Sequence, residues 1–182
     1  LKILLASKSP RRRELLKRLY PDFDVCSTDV DENSDILGPE ERVKEIALRK
    51  LSAVKNSANY DLVIAADTLV YLDGEYFGKP KDDADARRIL EKLNGKTHTV
   101  ASGVALKTGD KISAFAAVSK VRFKKLSGSE IENYVGSGRL RDKAGAYAIQ
   151  DGVVVESYDG EYENIMGLPV RELERNISKL LK

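Results

Sequence analysis

The segment Ser7-Lys8-Ser9-Pro10-Arg11-Arg12-Arg13 gathers three guanidiniums at a helix start, directly after the apolar strand-like run Ile3-Leu4-Leu5-Ala6. Ser9 suits an N-cap and Pro10 the first turn, while Leu15, Leu16 and Leu19 share one apolar face. Cations at that end oppose the helix dipole, at a cost of a few tenths to about 1 kcal/mol each when exposed. A bound polyphosphate reverses the sign, because Arg chelates phosphate oxygens bidentately and the first-turn N–H groups add donors. The residues alone leave an anion site open beside a solvated basic turn or a sorting signal.

A second group carries carboxylates. Asp67-Thr68 follows Val63-Ile64-Ala65-Ala66, which places an acid and a hydroxyl at the end of an apolar strand, where α/β proteins bind ligands. Asp67 can act as a general base toward water or bind a divalent ion; its other reading is a strand-end turn residue. Glu32 lies among Asp29, Asp31 and Asp35, a run that by itself reads as a solvated loop. If Glu32 and Asp67 meet, the two can hold magnesium against phosphate oxygens. Lys50 and the Lys79 of Gly78-Lys79-Pro80 can neutralise a phosphoryl group or its leaving group, and each can equally be surface charge.

Asp142-Lys143-Ala144-Gly145-Ala146-Tyr147-Ala148-Ile149-Gln150 mixes small residues, which let backbone approach a ligand, with polar ends. Lys143 is a candidate substrate contact, and the Gln150 amide suits the oxo/imino edge of a base. The alternative is tight sheet packing with Gln150 at its margin. His98 has no partner that would make it a base and reads as a structural histidine, and Met166 reads as core filler. Neither a Gly-x-x-x-x-Gly-Lys-Ser/Thr loop nor a dinucleotide glycine fingerprint occurs.

The composition narrows the chemistry. In 182 residues, 31 basic and 29 acidic side chains give a net charge of only +2, so any electrostatic function is local and nucleic acid is a poor candidate partner. Cys26 and His98 are the only residues of their kinds, which removes disulfide scaffolds and Cys/His zinc sites. A metal must then be held mainly by carboxylates and ligand oxygens, pointing to magnesium or manganese. No apolar run is long enough to span a membrane and Leu1 to Ala6 is too short for a signal core, so a cytoplasmic protein is expected.

The elements that must position these groups alternate. Strands are predicted over 3–6, 23–27, 62–66 with an extension over 69–72, 97–106 and 111–123, the last two forming a hairpin around Thr108-Gly109-Asp110. Helices are predicted from Ser9, from Pro39 to about Lys55, over 82–93, from a Ser127/Glu130 capping box to Val135, and over 168–180. A further hairpin is predicted over 153–162, around Asp159-Gly160. The fold class is α/β, a single domain over 1–182 built on one mixed sheet with helices on it.

Ser7-Lys8-Ser9-Pro10-Arg11-Arg12, Ala66-Asp67-Thr68, Gly78-Lys79-Pro80, Gly95-Lys96-Thr97-His98, the 142–150 segment and Gly167-Leu168-Pro169 resemble, in order, the motifs of the Maf nucleoside triphosphate pyrophosphatases. The resemblance spans nearly the whole chain. It implies an elongated mixed β-sheet flanked by helices, ITPase-like, with a central cleft. It also implies an Mg- or Mn-dependent hydrolase that converts a nucleoside triphosphate to monophosphate and pyrophosphate. Asp67 matches the family's proton acceptor, and Ser7, Arg12, Glu32, Lys50 and Lys79 match its phosphate-binding and catalytic surround. Glu32 and Asp67 are the implied metal ligands. Arg11, Thr68 and Gln150 match positions linked with substrate choice in the dTTP/UTP branch. A homodimer is implied by the resemblance alone.

Two departures stand out. Gly138-Arg139-Leu140-Arg141 replaces a common Gly-Glu-Pro-Leu pattern, and Asp151 replaces the usual Gly after Gln150. Three hypotheses therefore stand: a dTTP/UTP pyrophosphatase; a pyrophosphatase for modified or purine nucleotides such as 7-methyl-GTP; and a non-enzymatic nucleotide- or nucleic-acid-binding regulator of septum formation.

Overall fold

A computed structural model describes all residues, Leu1–Lys182. Seven strands form one sheet: β1 (Ile3–Ala6), β2 (Asp24–Cys26), β3 (Leu62–Leu72), β4 (Glu75–Phe77), β5 (Thr97–Thr108), β6 (Lys111–Phe123) and β7 (Val155–Asp159). Their spatial order is β2-β1-β3-β5-β6-β7, with β4 beside β3. β1 runs parallel to both β2 and β3, whereas β4 and β7 lie antiparallel to β3 and β6, so the sheet is mixed as expected. Six helices accompany it: α1 (Pro10–Lys17), α2 (Pro39–Ser52), α3 (Asp83–Leu93), α4 (Gly128–Gly136), α5 (Tyr162–Met166) and α6 (Val170–Leu180).

The chain divides into two compact units. The first comprises Leu1–Thr68, Ala101–Ala117 and Glu163–Lys182. Its core includes Leu4 and Ala6 of β1, Val63 and Ala65 of β3, Ala105 of β5, and Ala47 and Leu51 of α2. The parallel pairing of β1 with β2 and β3 requires crossover connections, and α1 and α2 lie in them. Glu40 and Glu41 in the first turn of α2, with Arg49 and Lys50 in its last, match the helix dipole. Helix and sheet meet closely: a Cβ built on Gly103 of β5 would lie 2.3 Å from the Val43 carbonyl carbon.

The second unit comprises Leu69–Val100 and Val118–Tyr162. Asp82 caps α3 through the Asp85 N–H at 2.8 Å, and Ser127 with Glu130 forms the capping box of α4. α3 packs on α4 through faces carrying Ile89, Leu90, Leu93, Ile131 and Val135. β3 proves continuous through Asp67 and Thr68, and Asp73-Gly74, both with positive φ, turns it into β4.

Two sequence-based expectations need correction. The 153–162 region is not a hairpin: β7 pairs instead with β6, and Tyr162 opens α5. Gly160, at φ +112°, sits so close to Ser119 that a Cβ there would lie 2.6 Å from its Oγ, and the Ser119 hydroxyl donates to Glu161 O at 3.2 Å. The chain is thereby bound at this turn to the strand already beside β7. Asp67-Thr68 does not end its strand, since β3 runs on to Leu72. Segment 142–151, for which tight sheet packing was the alternative reading, forms two 3-10 turns, Ala144–Ala146 and Ile149–Asp151.

Candidate active site

The first unit holds Ser7, Arg11, Arg12, Glu32, Lys50, Asp67 and Thr68, with Lys50 joining Asp67 to Glu32 and Arg12 joining Ser7 to Thr68. Asp67 is buried on β3, and its Oδ1 accepts from Lys50 Nζ at 2.6 Å. The same ammonium lies 2.8 Å from Glu32 Oε1, so one cation of α2 joins the two carboxylates that the sequence suggested might meet. Exposure separates the two pairings. The Lys50 and Asp67 side chains are only 12% and 10% exposed, whereas that of Glu32 is 61% exposed. The Lys50–Asp67 contact is therefore the electrostatically stronger one.

Glu32 is not on a free acidic loop. Arg49 Nη1 donates to the carbonyls on either side of it, Asp31 O at 3.0 Å and Asn33 O at 2.6 Å. Arg42 Nη1 donates to Ser34 O at 2.7 Å, and Ser34 Oγ bonds Glu45. Arg42, Glu45 and Arg49 recur at i, i+3 and i+7 on one face of α2, which pins the loop while Lys50 meets the Glu32 carboxylate. That helical spacing was present in the sequence as a signal, and it identifies three positioning residues that motif reading passed over.

The arginine run is used differently from a bare anion site. Arg12 donates through Nε to Gly167 O at 2.8 Å, through Nη1 to Ala66 O at 2.9 Å and Ser7 Oγ at 3.3 Å, and through Nη2 to Thr68 Oγ1 at 2.9 Å. Four of its five N–H groups are thus spent on protein acceptors. Burial is the main force lowering its pKa, partly opposed by the neighbouring Asp67 charge. Arg11 Nε donates to Met166 O at 3.2 Å. Arg12 therefore clamps the middle of β3, around Ala66 and Thr68, to the turn after β1 and to the end of α5. Ser9 caps α1 as expected, its Oγ lying 3.5 Å from the Arg12 N–H.

Thr68 extends this network inward. Its Oγ1 lies 2.9 Å from the Oγ of Ser102, a fully buried residue of β5, whose hydroxyl donates to Asn164 O at 3.1 Å. A carbonyl only accepts, so the Ser102 proton goes to Asn164, and the one Thr68 proton is shared between Ser102 Oγ and Gly167 O, the latter 3.3 Å away. Ser102 carried no motif signal, since a lone serine in an apolar strand has no distinctive spacing.

The second unit holds Lys79, Lys143 and Gln150. Lys79 and Gln150 are exposed, and Lys143 Nζ lies 2.6 Å from Arg139 O and 2.8 Å from Asp142 Oδ1. The Gly145 N–H donates to Gly78 O at 3.1 Å, tying the residue before Lys79 to the segment that carries Lys143 and Gln150. His98 is buried, with Nε2 2.9 Å from Tyr147 OH, and its ring meets Phe123 and Tyr147 edge-on. Burial depresses its pKa to about 3, in keeping with a structural rather than a basic imidazole. Met166 is buried, as expected of core filler. Arg141 lies against Asp83 at 3.3 Å.

The profile of the Maf-like protein family matches residues 2–180, and the chain belongs to that family. Among its relatives it is similar to the dTTP/UTP pyrophosphatase of Thermosipho africanus, at 44% identity over 95% of this chain and 90% of that protein. It is 44% identical to the dTTP/UTP pyrophosphatase of Phocaeicola vulgatus over 98% of this chain and 96% of that one. The protein of the same description from Pyrococcus abyssi is 42% identical over 93% of this chain and 91% of its own. Among solved structures the fold is similar to the Ham1 protein of Staphylococcus aureus, with a TM-score of 0.57 at 20% identity, covering 98% of this chain and 99% of that one. The Ham1 protein of Coxiella burnetii gives 0.55 at 16%, with the same coverage. At these identities the likeness concerns the fold alone.

Proposed function

We propose that this protein hydrolyses nucleoside triphosphates, dTTP and UTP by preference, to monophosphate and pyrophosphate, with the two units working as one domain over 1–182. The observation that carries the reading is the Lys50 ammonium held between Asp67 and Glu32 in a Maf-family chain similar to dTTP/UTP pyrophosphatases. The Asp67 carboxylate takes a proton from water as that water attacks the α-phosphorus, and the α–β bridging oxygen leaves with pyrophosphate. Lys50 fixes the Asp67 oxygen and supplies positive charge near the reacting phosphate. Arg12 holds the Asp67–Thr68 part of β3 in place and keeps one N–H for an anion, with Ser7 and Arg11 alongside. The roles of Lys79 and Lys143 in binding phosphates, and of Thr68 and Gln150 in reading the base, follow the family pattern.

A divalent cation fits Glu32 and Asp67. No cluster of three His, Cys, Asp or Glu exists, yet magnesium commonly binds through one or two carboxylates, with phosphate oxygens and water completing its shell. Two carboxylates face the single charge of Lys50, and the remaining negative charge supports a cation beside them. When bound, Mg or Mn supplies Lewis-acid stabilisation of phosphate charge. A homodimer in the cytoplasm, where nucleoside triphosphates are available, completes the reading.

The competing hypotheses are weakened in part. Arg141 of the altered 138–141 stretch pairs with Asp83, which counts against its reaching a purine substrate. Arg11 and Arg12 bond within the fold, which counts against the basic run serving as a stripe for nucleic acid.

Asp67→Asn tests the assignment, with turnover of dTTP, UTP, 7-methyl-GTP and ITP followed at fixed Mg. Turnover of dTTP should fall about 10²- to 10⁴-fold while the thermal unfolding profile stays cooperative. Unchanged turnover removes Asp67 from the proposed role.

A further inference from the structure

Gln150 stands in the middle of the 3-10 turn Ile149–Asp151, with its side chain exposed. That turn is weakly held by its own backbone. The Asp151 N–H reaches Ala148 O at 3.2 Å and the Gly152 N–H reaches Ile149 O at 3.3 Å, both at the long end of the hydrogen-bond range, and no side chain caps it. The stronger constraint comes from α4. The Tyr134 hydroxyl accepts from the Ala148 N–H at 3.1 Å and donates to Asp151 Oδ2 at 2.8 Å. One phenol thus grips the residue before the turn and the last residue in it, with Gln150 between them.

Burial pushes the Tyr134 phenol well up, so it keeps the proton it donates. The acceptor is a carboxylate, which makes the contact charge-assisted. Tyr134 is buried, at 4% exposure, and lines a cavity of about 310 Å³ with Leu126, Asn133, Ser137, Arg139 and Val153. The two hydrogen bonds of its hydroxyl join the buried ring to the turn. Asp151 is also the position at which this chain departs from the usual Gly, and glycine has no side chain to make that bond.

We propose that Tyr134 and Asp151 are positioning residues that fix the Gln150 amide and thereby sharpen the choice of nucleobase. The inference rests on the reading that Gln150 meets the base. The latch costs the reacting centre nothing, since neither residue belongs to the Asp67–Lys50–Glu32 set. Its effect lies in substrate affinity rather than in turnover.

Steady-state kinetics of Tyr134→Phe, Asp151→Asn and Gln150→Ala on dTTP, UTP, CTP and GTP test it, with thermal unfolding recorded for each variant. Tyr134→Phe retains the ring and should raise KM for dTTP and UTP about tenfold, leave kcat within about twofold, and leave KM for CTP and GTP nearly unchanged. Asp151→Asn retains an acceptor oxygen and should recover most of that discrimination. If Gln150→Ala loses discrimination and Tyr134→Phe does not, the latch is overturned while the role of Gln150 stands. If neither loses it, the assignment of Gln150 as base reader is overturned and the latch with it. If only Tyr134→Phe loses it, or all four substrates slow equally, the claim that Tyr134 acts through Gln150 is overturned.

Discussion

Lys50 sets one ammonium against two carboxylates, and their unequal burial decides what its loss would do. The partner that matters for stability is Asp67, which is slightly more enclosed than Lys50 itself, while Glu32 stays largely in water. Lys50→Gln leaves the Asp67 carboxylate buried beside a neutral amide. The unfolding free energy should then fall by about 1–3 kcal/mol, read as a lower urea midpoint at unchanged slope. An unchanged midpoint would mean that the Lys50–Asp67 pair contributes nothing net. At this scale the sequence was informative about which residue types could do chemistry, because carboxylates and lysines at strand ends and helix faces announce themselves. The use made of Arg12 was not legible. Its acceptors are mostly backbone carbonyls and hydroxyls from distant segments, and a carbonyl leaves no mark in the choice of side chain.

The elements with periodic apolar patterns and named caps came out nearly as read: α1 behind Ser9 and Pro10, α3 behind Asp82, α4 behind its capping box, and the β5–β6 pair around Gly109. Segments without periodicity did not. The Val153-Val154-Val155 run shows strand propensity but cannot say which strand it joins, and the partner is β6. Segment 142–151 has neither period, and its shape comes from tertiary anchors, among them His98 at the start of β5, which bonds Tyr147.

That anchor gives a pH dependence. The folded pKa of His98 lies at about 3, below the ordinary 6.5, so the unfolded chain binds an extra proton between those values. The contribution to stability is therefore complete above about pH 6.5 and is lost as pH falls toward 3, at up to about 1.4 kcal/mol per pH unit. As the chain contains a single histidine, its imidazole C–H resonances can be followed without assignment ambiguity. In the native protein they should not shift between pH 8 and about pH 5. A titration with a midpoint near 6.5 would contradict the buried, neutral imidazole.

For the whole molecule, the near-zero net charge concealed the feature that matters, since +2 over 182 residues gives no hint of an ammonium sandwiched between an acid of β3 and one of the loop before α2. The α/β class was legible from alternation of strand and helix patterns. The sheet order was not, because apolar periodicity records that a strand is buried and not which neighbours bury it; β1 lies between β2 and β3 although β3 follows it only after two helices. Nor does periodicity reveal where the chain parts into compact units, a boundary that falls inside β3, β5, β6 and α5 rather than in a linker.

Hydrolysis of dTTP in ¹⁸O-labelled water, with Mg present and products resolved by mass, tests the central claim most directly. Attack by water on the α-phosphorus predicts equal amounts of dTMP and pyrophosphate, with the label in dTMP alone. Label in pyrophosphate, or release of orthophosphate with dTDP as the first products, would contradict it.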